Sequence, residues 1–385
     1  MFNPLIGLEI EFHLLDEFGF ISNSADSIIH DSDCGAYIVQ ELSKSMVEIL
    51  CEPSADLVEL AKDVVIRVNH ASKLAKQHGL KLLPSTPVGD VVLEKRKSPR
   101  YTKKNVILGD EKRSLELQIC GTHIHVDKFE KDLLKQHTVT TALDPLFSLM
   151  SSSPFFKAQN SLNNYRADIY RNVVFENFPE HGLLLPYASS MKDLQKRYDD
   201  LYTVWLSVCK EKNFDADGFT SLNTCWGPVR FSERTIESRS SDTNLVSNVL
   251  ALAAVYLGVN RQLDEIPFKD GQYYFNKTPL PSYEDLLSYQ QSAISSGLSN
   301  PELKQYLIDI VKFSEQGLEE NEKYLIKPFK NMLQTGLNFS DEMTSFAKAT
   351  GEYVNGVISE TGSRDLRLYV AKRLEDDLHE CSILY

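Results

Sequence analysis

No apolar run in this chain approaches the roughly 20 residues that cross a bilayer, which excludes a membrane-spanning helix. Cysteine is sparse and scattered, with six thiols at positions 34, 51, 120, 209, 225 and 381 and no C-x-x-C pair. That pattern excludes a disulfide scaffold and points to reduced, buried thiols. The glycine-rich phosphate cradles are missing as well: there is no G-x-x-x-x-G-K-[ST] and no G-x-G-x-x-G after a strand. Neither G-x-S-x-G nor H-E-x-x-H occurs. Positive charge is in deficit, 41 Lys and Arg against 54 Asp and Glu, for a net charge of −13. Nucleic acid and anionic membrane surfaces are therefore poor partners. No repeat or low-complexity tract interrupts the chain. Strand-like sequence begins by Leu5 and leaves no room for a signal peptide. The expectation is a cytoplasmic protein. Its oligomeric state is open, a homo-oligomer included.

What the chain does have is alternation. Three stretches put polar residues on every second position: Gly7-Leu8-Glu9-Ile10-Glu11-Phe12, Gly121-Thr122-His123-Ile124-His125-Val126 and Thr235-Ile236-Glu237-Ser238-Arg239. On a strand, residues two apart share a face. Two carboxylates, two imidazoles and a Glu/Arg pair would be costly in a dry core. As the floor of a site for metal ions and phosphate, the set makes chemical sense.

The first strand, about 4–15, is expected to turn at Glu17-Phe18-Gly19 into a short second strand, and 44–52 reads as a third. A helix follows, with Ser54 as N-cap, an apolar stripe at Leu57, Leu60, Ala61, Val64, Val65, Val68, Ala71 and Leu74, and Gly79 at its end. Residues 80–85 resume strand character, 94–113 read as a charged surface loop, and 115–126 form the strand with the histidine pair. Helices are expected over about 129–150, 191–212 and 243–264, with strand between 221 and 241. From Ser282, which starts a Ser-x-x-Asp capping pattern with Asp285, the chain reads as helical. Strands dispersed among helices without regular alternation indicate an α+β fold with a mainly antiparallel sheet.

Each constellation has a plainer reading. Glu9 and Glu11 suit an exposed strand with solvated carboxylates. Against this, glutamate is a poor strand former, and like charges repel unless a cation lies between them. Glu48 shares a strand face with Met46 and Leu50 and says little alone. The imidazoles of His123 and His125 suit metal or phosphate oxygens or a structural role, and a third zinc ligand at the usual spacing is absent. Glu237 and Arg239 are either a surface ion pair or a metal ligand beside a guanidinium aimed at developing negative charge. Arg166, within 163–171, is either a carboxylate clamp or part of a polar surface helix.

Taken in order, the Glu-x-Glu-Phe strand, the Glu48 strand and long helix, Pro99-Arg100-Tyr101, Gly-x-His-x-His, Ser153-Pro154-Phe155, Tyr165-Arg166 and Trp226 through Thr-Ile-Glu-x-Arg-x-x-Asp242 resemble the type 2 glutamate–cysteine ligases, a carboxylate–amine ligase family of the glutamine synthetase-like superfamily. The resemblance runs from about residue 5 to 262. It implies a curved, mainly antiparallel sheet of about six strands with helices on the convex face. The whole of 1–385 would be one catalytic domain, with 265–385 a mostly helical layer. It also implies amide formation from ATP, a carboxylate and an amine through an acyl phosphate, with glutamate and cysteine as substrates. Glu9, Glu11, Glu48, His123 and Glu237 would hold Mg²⁺ or Mn²⁺. His125, Arg239 and Trp226 would meet the nucleotide. Arg239, Arg166 and Glu237 would carry the chemistry, and Arg166 with Tyr165 would bind the substrate. Two alternatives stay open: the same chemistry on another amino acid, amine or peptide, and a non-catalytic paralogue that binds a nucleotide or metabolite. The chain departs from the family at Ile10, where a third glutamate is common, and at Arg234, where a small residue or proline is usual. After residue 262, Tyr273-Tyr274-Phe275-Asn276-Lys277 stands where an asparagine- and arginine-rich segment is expected.

Overall fold

The computed structural model describes residues 2–384. The main sheet contains β1 (Ile6–Asp16), β2 (Ile38–Gln40), β3 (Met46–Leu50), β4 (Leu80–Leu83), β5 (Gly121–Asp127), β6 (Val229–Phe231) and β7 (Thr235–Asp242). Six of these lie in the order β2-β3-β1-β5-β7-β6, and β4 pairs with the last part of β1. Every pairing within this sheet is antiparallel, as the α+β reading requires.

Alternation decides which face meets the core. Leu8, Ile10, Phe12, Val47, Ile49, Ile124, Val126 and Ile236 are all buried. They join one core with the helices Leu57–Gln77, Val246–Arg261 and Glu360–Leu384. All eight stripe residues of the first of these helices are buried. Its N-cap is Asp56 rather than Ser54, because Asp56 directly precedes the first apolar residue and its carboxylate accepts from the Val58 and Glu59 amides at 2.8 and 3.2 Å. Val246–Arg261 is apolar on nearly every side, and only its Ser247 and Asn248 escape full burial. It passes the Pro301–Ser314 helix backbone to backbone, so a methyl group added at Gly258 would strike the Ser314 carbonyl. Gly258→Ala is therefore expected to cost about 1–3 kcal/mol or more, read as a lower urea midpoint at unchanged slope.

Further sequence readings need correction. The short second strand expected after Glu17-Phe18-Gly19 is only an isolated bridge between Leu15 and Ile21. The segment read as a loop over 94–113 folds into two helices, Pro99–Leu108 and Asp110–Glu116, joined by Gly109 at φ 97°. Pro99 after Ser98, and Asp110-Glu111 in a first turn, are helix-start signals that the dense charge obscured. The strand read over 115–126 shortens accordingly to β5. Beyond Ser282 the chain is helical except for a small hairpin, Tyr353–Val354 with Val357–Ile358. Ser282 caps its helix, with its hydroxyl accepting from the Asp285 amide at 3.1 Å. A three-stranded meander over 268–279 precedes it. Among the described residues no helix is long and apolar enough to cross a membrane, and no cysteine is paired.

Candidate active site

Register brings the three polar pairs together. Glu9 lies opposite His123, Glu11 opposite Glu48, and His125 opposite Glu237. The pairing of β5 with β7 shifts between Thr122 and Ile124, where β7 carries one extra residue at Arg239–Ser240. A bulge of this kind re-aims side chains, and here Arg239 turns into the cavity. The cavity, of about 380 Å³, is floored by Glu9, Glu11, Glu48 and His123. Glu41, which follows β2, joins them; nothing in its local sequence marks it. The Pro99–Leu108 helix supplies Arg100, Tyr101 and Lys104 to the wall, and Tyr170, Trp226 and Arg230 complete it.

Three sets of side chains each offer ligand atoms within 4.8 Å of one another: Glu9, His125 and Glu237; Glu9, Glu48 and His123; Glu11, Glu41 and Glu48. The donor set of carboxylate oxygens and imidazole nitrogens is the kind that hard divalent cations take. Its electrostatics fit as well. Burial, with the Glu41 carboxylate beside it, pushes Glu11 up to about 8 despite Arg166 and the Gly121 amide. Burial and the carboxylates of Glu41, Glu11 and Glu9 push Glu48 up to about 9. Burial raises Glu41 too. Glu9 goes the other way: burial opposes ionisation, but hydrogen bonds and charge from His123 and His125 hold it well below the usual carboxylate range. Glu237 is buried and is nonetheless held at about 2, because Arg239, His123 and Arg230 outweigh the burial cost. Its Oε1 accepts from Arg239 Nη1 and its Oε2 from Arg230 Nε at 2.7 Å. Burial and Arg239 hold His123 at about 4, which leaves a neutral imidazole 3.1 Å from Glu9. His125 Nδ1 meets Thr235 Oγ1 at 3.1 Å, and its Nε2 lies 3.4 Å from Glu9 Oε1.

Other expected site residues stand elsewhere. Arg166 is buried inside the wall instead of facing the cavity: its Nη1 donates to the Arg239 carbonyl at 2.9 Å, and its guanidinium lies against Gly121 and over the Tyr170 ring. The surface-helix reading of 163–171 also fails, since Tyr165–Asp168 continues into a wider π-helical turn, Ile169–Val174, with both arginines buried. Tyr165 turns its hydroxyl to Ser161 at 2.6 Å and is not part of the cavity lining. Trp226 does line the cavity, but Tyr170 stacks on its ring at 4.9 Å and Arg171 lies over it. It therefore presents an edge rather than a free stacking face, and its Nε1–H has no partner among the described residues. Gly121 has a reason beyond turn geometry, for a Cβ there would occupy the space of the Arg166 guanidinium. Gly121→Ala is expected to destabilise by about 1–3 kcal/mol and to displace Arg239 through its carbonyl, measurable as a lower melting temperature with reduced activity.

The antiparallel sheet with helices on one face is a fold shared with solved structures. A glutamate–cysteine ligase from Francisella tularensis in complex with AMP superposes with a TM-score of 0.60 at 14% identity, covering 99% of this chain and 93% of that one. A bifunctional glutathione synthetase from Pasteurella multocida gives 0.62 at 13%, covering 96% and 52%. The α+β, six-stranded expectation is thus met. The family follows from the sequence: residues 5–360 match glutamate-cysteine ligase family 2 (GCS2), and the chain belongs to that family. It is 29% identical over 318 residues to "Putative glutamate--cysteine ligase 2-2" of Frankia casuarinae, covering 80% of this chain and 33% of that protein. With "Putative glutamate--cysteine ligase 2" of Roseiflexus castenholzii it shares 28% identity over 150 residues, 38% of each. The aligned region thus spans only about a third of these curated relatives.

Proposed function

We propose that this protein is an ATP- and Mg²⁺-dependent carboxylate–amine ligase, with glutamate and cysteine as its substrates. The observation that carries the reading is the convergence of Glu9, Glu11, Glu48, His123 and Arg239 on one cavity, with His125 and Glu237 grouped around Glu9 at its edge. Glu41 extends the set. Between two and three Mg²⁺ (or Mn²⁺) ions would be held by the three ligand groups, and the charge they supply is what an acidic protein lacks for binding a triphosphate.

The reaction transfers the ATP γ-phosphoryl group to the substrate carboxylate, giving an acyl phosphate. The amine then attacks the acyl carbon and inorganic phosphate leaves. Glu237 keeps Arg239 and Arg230 side by side, so that guanidinium charge meets the phosphoryl oxygens without rearrangement. The neutral imidazole of His123 leaves a nitrogen lone pair for ligation. Arg166 acts from beneath, fixing the Arg239 backbone, and is a positioning residue on this reading.

A second reading within the same chemistry is favoured by one observation. The segment 273–277, which departs from the family pattern, sits in the meander and contributes nothing to the cavity lining. On this reading the amine differs from cysteine while the phosphoryl-transfer machinery is unchanged. Phosphate release with ATP and Mg²⁺, assayed over pairs of amino acids and amines, tests both. Release that requires glutamate and cysteine together is the expected result. Release with another pair moves the assignment to the second reading. Tight nucleotide binding with no turnover for any pair would leave a non-catalytic binding protein.

A further inference from the structure

The two helices over 99–116 carry five cations, and three of them have a carboxylate partner. Lys103 pairs with Asp215, Lys112 with Glu176 at 2.6 Å, and Arg113 with Glu116. Among the described residues Arg100 and Lys104 have none, and these are the two that line the cavity. They stand one helical turn apart on the same face, a spacing at which like charges destabilise a helix. Arg113 brings a further positive charge, since its guanidinium and that of Arg100 both lie 5.2 Å from the Tyr101 ring. Burial and these neighbours drive the Lys104 ammonium well below the usual lysine range, so the arrangement is unfavourable as it stands.

A second feature of the same wall points the same way. The indole of Trp226 is buried and lines the cavity, yet among the described residues its Nε1–H finds no acceptor. A buried donor without a partner costs on the order of 1–3 kcal/mol, so an acceptor atom is missing there. The cavity therefore has two electrostatic halves. One gathers carboxylates around cation positions; the other gathers Arg100, Lys104 and the indole N–H, and its one carboxylate, Glu116, is taken up by Arg113. Metal-bound phosphates belong to the first half. The second suits a smaller anion, and an amino acid brings one in the carboxylate that does not react.

Building on the ligase reading, we propose that Arg100, Lys104 and the Trp226 indole N–H form a subsite for the non-reacting α-carboxylate of the amino acid whose other carboxylate is activated. This subsite selects amino acids over simple acids, and it replaces the clamp role that the buried Arg166 cannot perform from inside the wall. Arg100 is solvent-exposed, and neither it nor Lys104 makes a hydrogen bond that holds the fold together, so both can be changed without unfolding the chain.

The test compares wild type with Arg100→Gln and Lys104→Gln, using glutamate and 4-aminobutyrate, which is glutamate without its α-carboxylate. Calorimetric binding in the presence of ATP and Mg²⁺ is read first, then phosphate release with a fixed amine. The expected result is that each variant weakens glutamate binding roughly tenfold or more, with a matching rise in KM. The KM for ATP and kcat should change less than about threefold, and the preference for glutamate over 4-aminobutyrate should shrink. Unchanged glutamate affinity in both variants would overturn the subsite. So would a rise confined to the KM for ATP, which would make the anion a nucleotide phosphate, or one confined to the KM of the amine. Failure of the ligase reading looks different: glutamate binds wild type and not the variants, yet no amine elicits phosphate release.

Discussion

Glu237→Gln is expected to lower phosphate release at least about a hundredfold, the scale for losing one preorganised charge contact at a transition state, while the protein still melts cooperatively. Glu237 is the most connected group of the site. It holds Arg239 and Arg230 on its two oxygens, has His123 within 3.7 Å, and belongs to one of the ligand triads. Its charge serves twice, as a cation ligand and as the group that keeps two guanidiniums together. The amide retains the shape and one acceptor oxygen, so packing survives while the charge is lost. Stability should fall too, because Arg239 and Arg230 lose the buried charge that pairs them, so the loss of activity is read on the folded variant well below its melting transition. Near-full turnover in this variant, with normal melting, would remove Glu237 from the machinery.

The second large effect concerns pH and metal. Glu48 stands at about 9 and Glu11 at about 8 in the folded protein, against 4.5 for a free carboxyl. The folded state therefore holds protons that the unfolded state has released between pH 4.5 and these values. A raised carboxyl loses stability as pH climbs through that window, since the native state must either keep the proton or ionise among like charges. His123, held low at about 4, contributes the opposite slope below pH 6.5. The comparison that isolates the effect is wild type against Glu48→Gln, both free of metal. The variant should gain in melting temperature relative to wild type as pH rises from 5 to 9. Adding Mg²⁺ should reverse the order at pH 9, because the cation takes the place of the protons and stabilises only a protein that keeps the carboxylate. A difference that stays flat with pH, or an equal Mg²⁺ response in both proteins, would mean that these carboxylates do not share a cation position.

Much of this site could be read in the chain because strands have a period of two. Glu9 and Glu11, His123 and His125, and Glu237 and Arg239 each had to share a face once their apolar neighbours Leu8, Ile10, Ile124 and Ile236 went to the core. The helix Leu57–Gln77 was legible for the same kind of reason, with its stripe at helical spacing. Glu41 was not, since it follows a strand of three residues that carries no periodic signal. Nor was the direction of Arg166, which depends on the absence of a side chain at Gly121, 45 residues away by number and adjacent in space.

The 99–116 segment marks the boundary between the two kinds of information. Its charge density read as solvent exposure, and local sequence could not reveal that Lys103, Lys112 and Arg113 would find carboxylates while Arg100 and Lys104 would face the cavity. By itself the sequence determined the α+β class, the pairs of polar side chains and the face each pair takes, because those follow from backbone period and the cost of burying charge. Only the tertiary structure decided which pairs meet, which arginine opens to the cavity and which supports it. Those outcomes depend on strand register, a bulge at Arg239–Ser240 and contacts between residues far apart in the chain, where no local propensity acts.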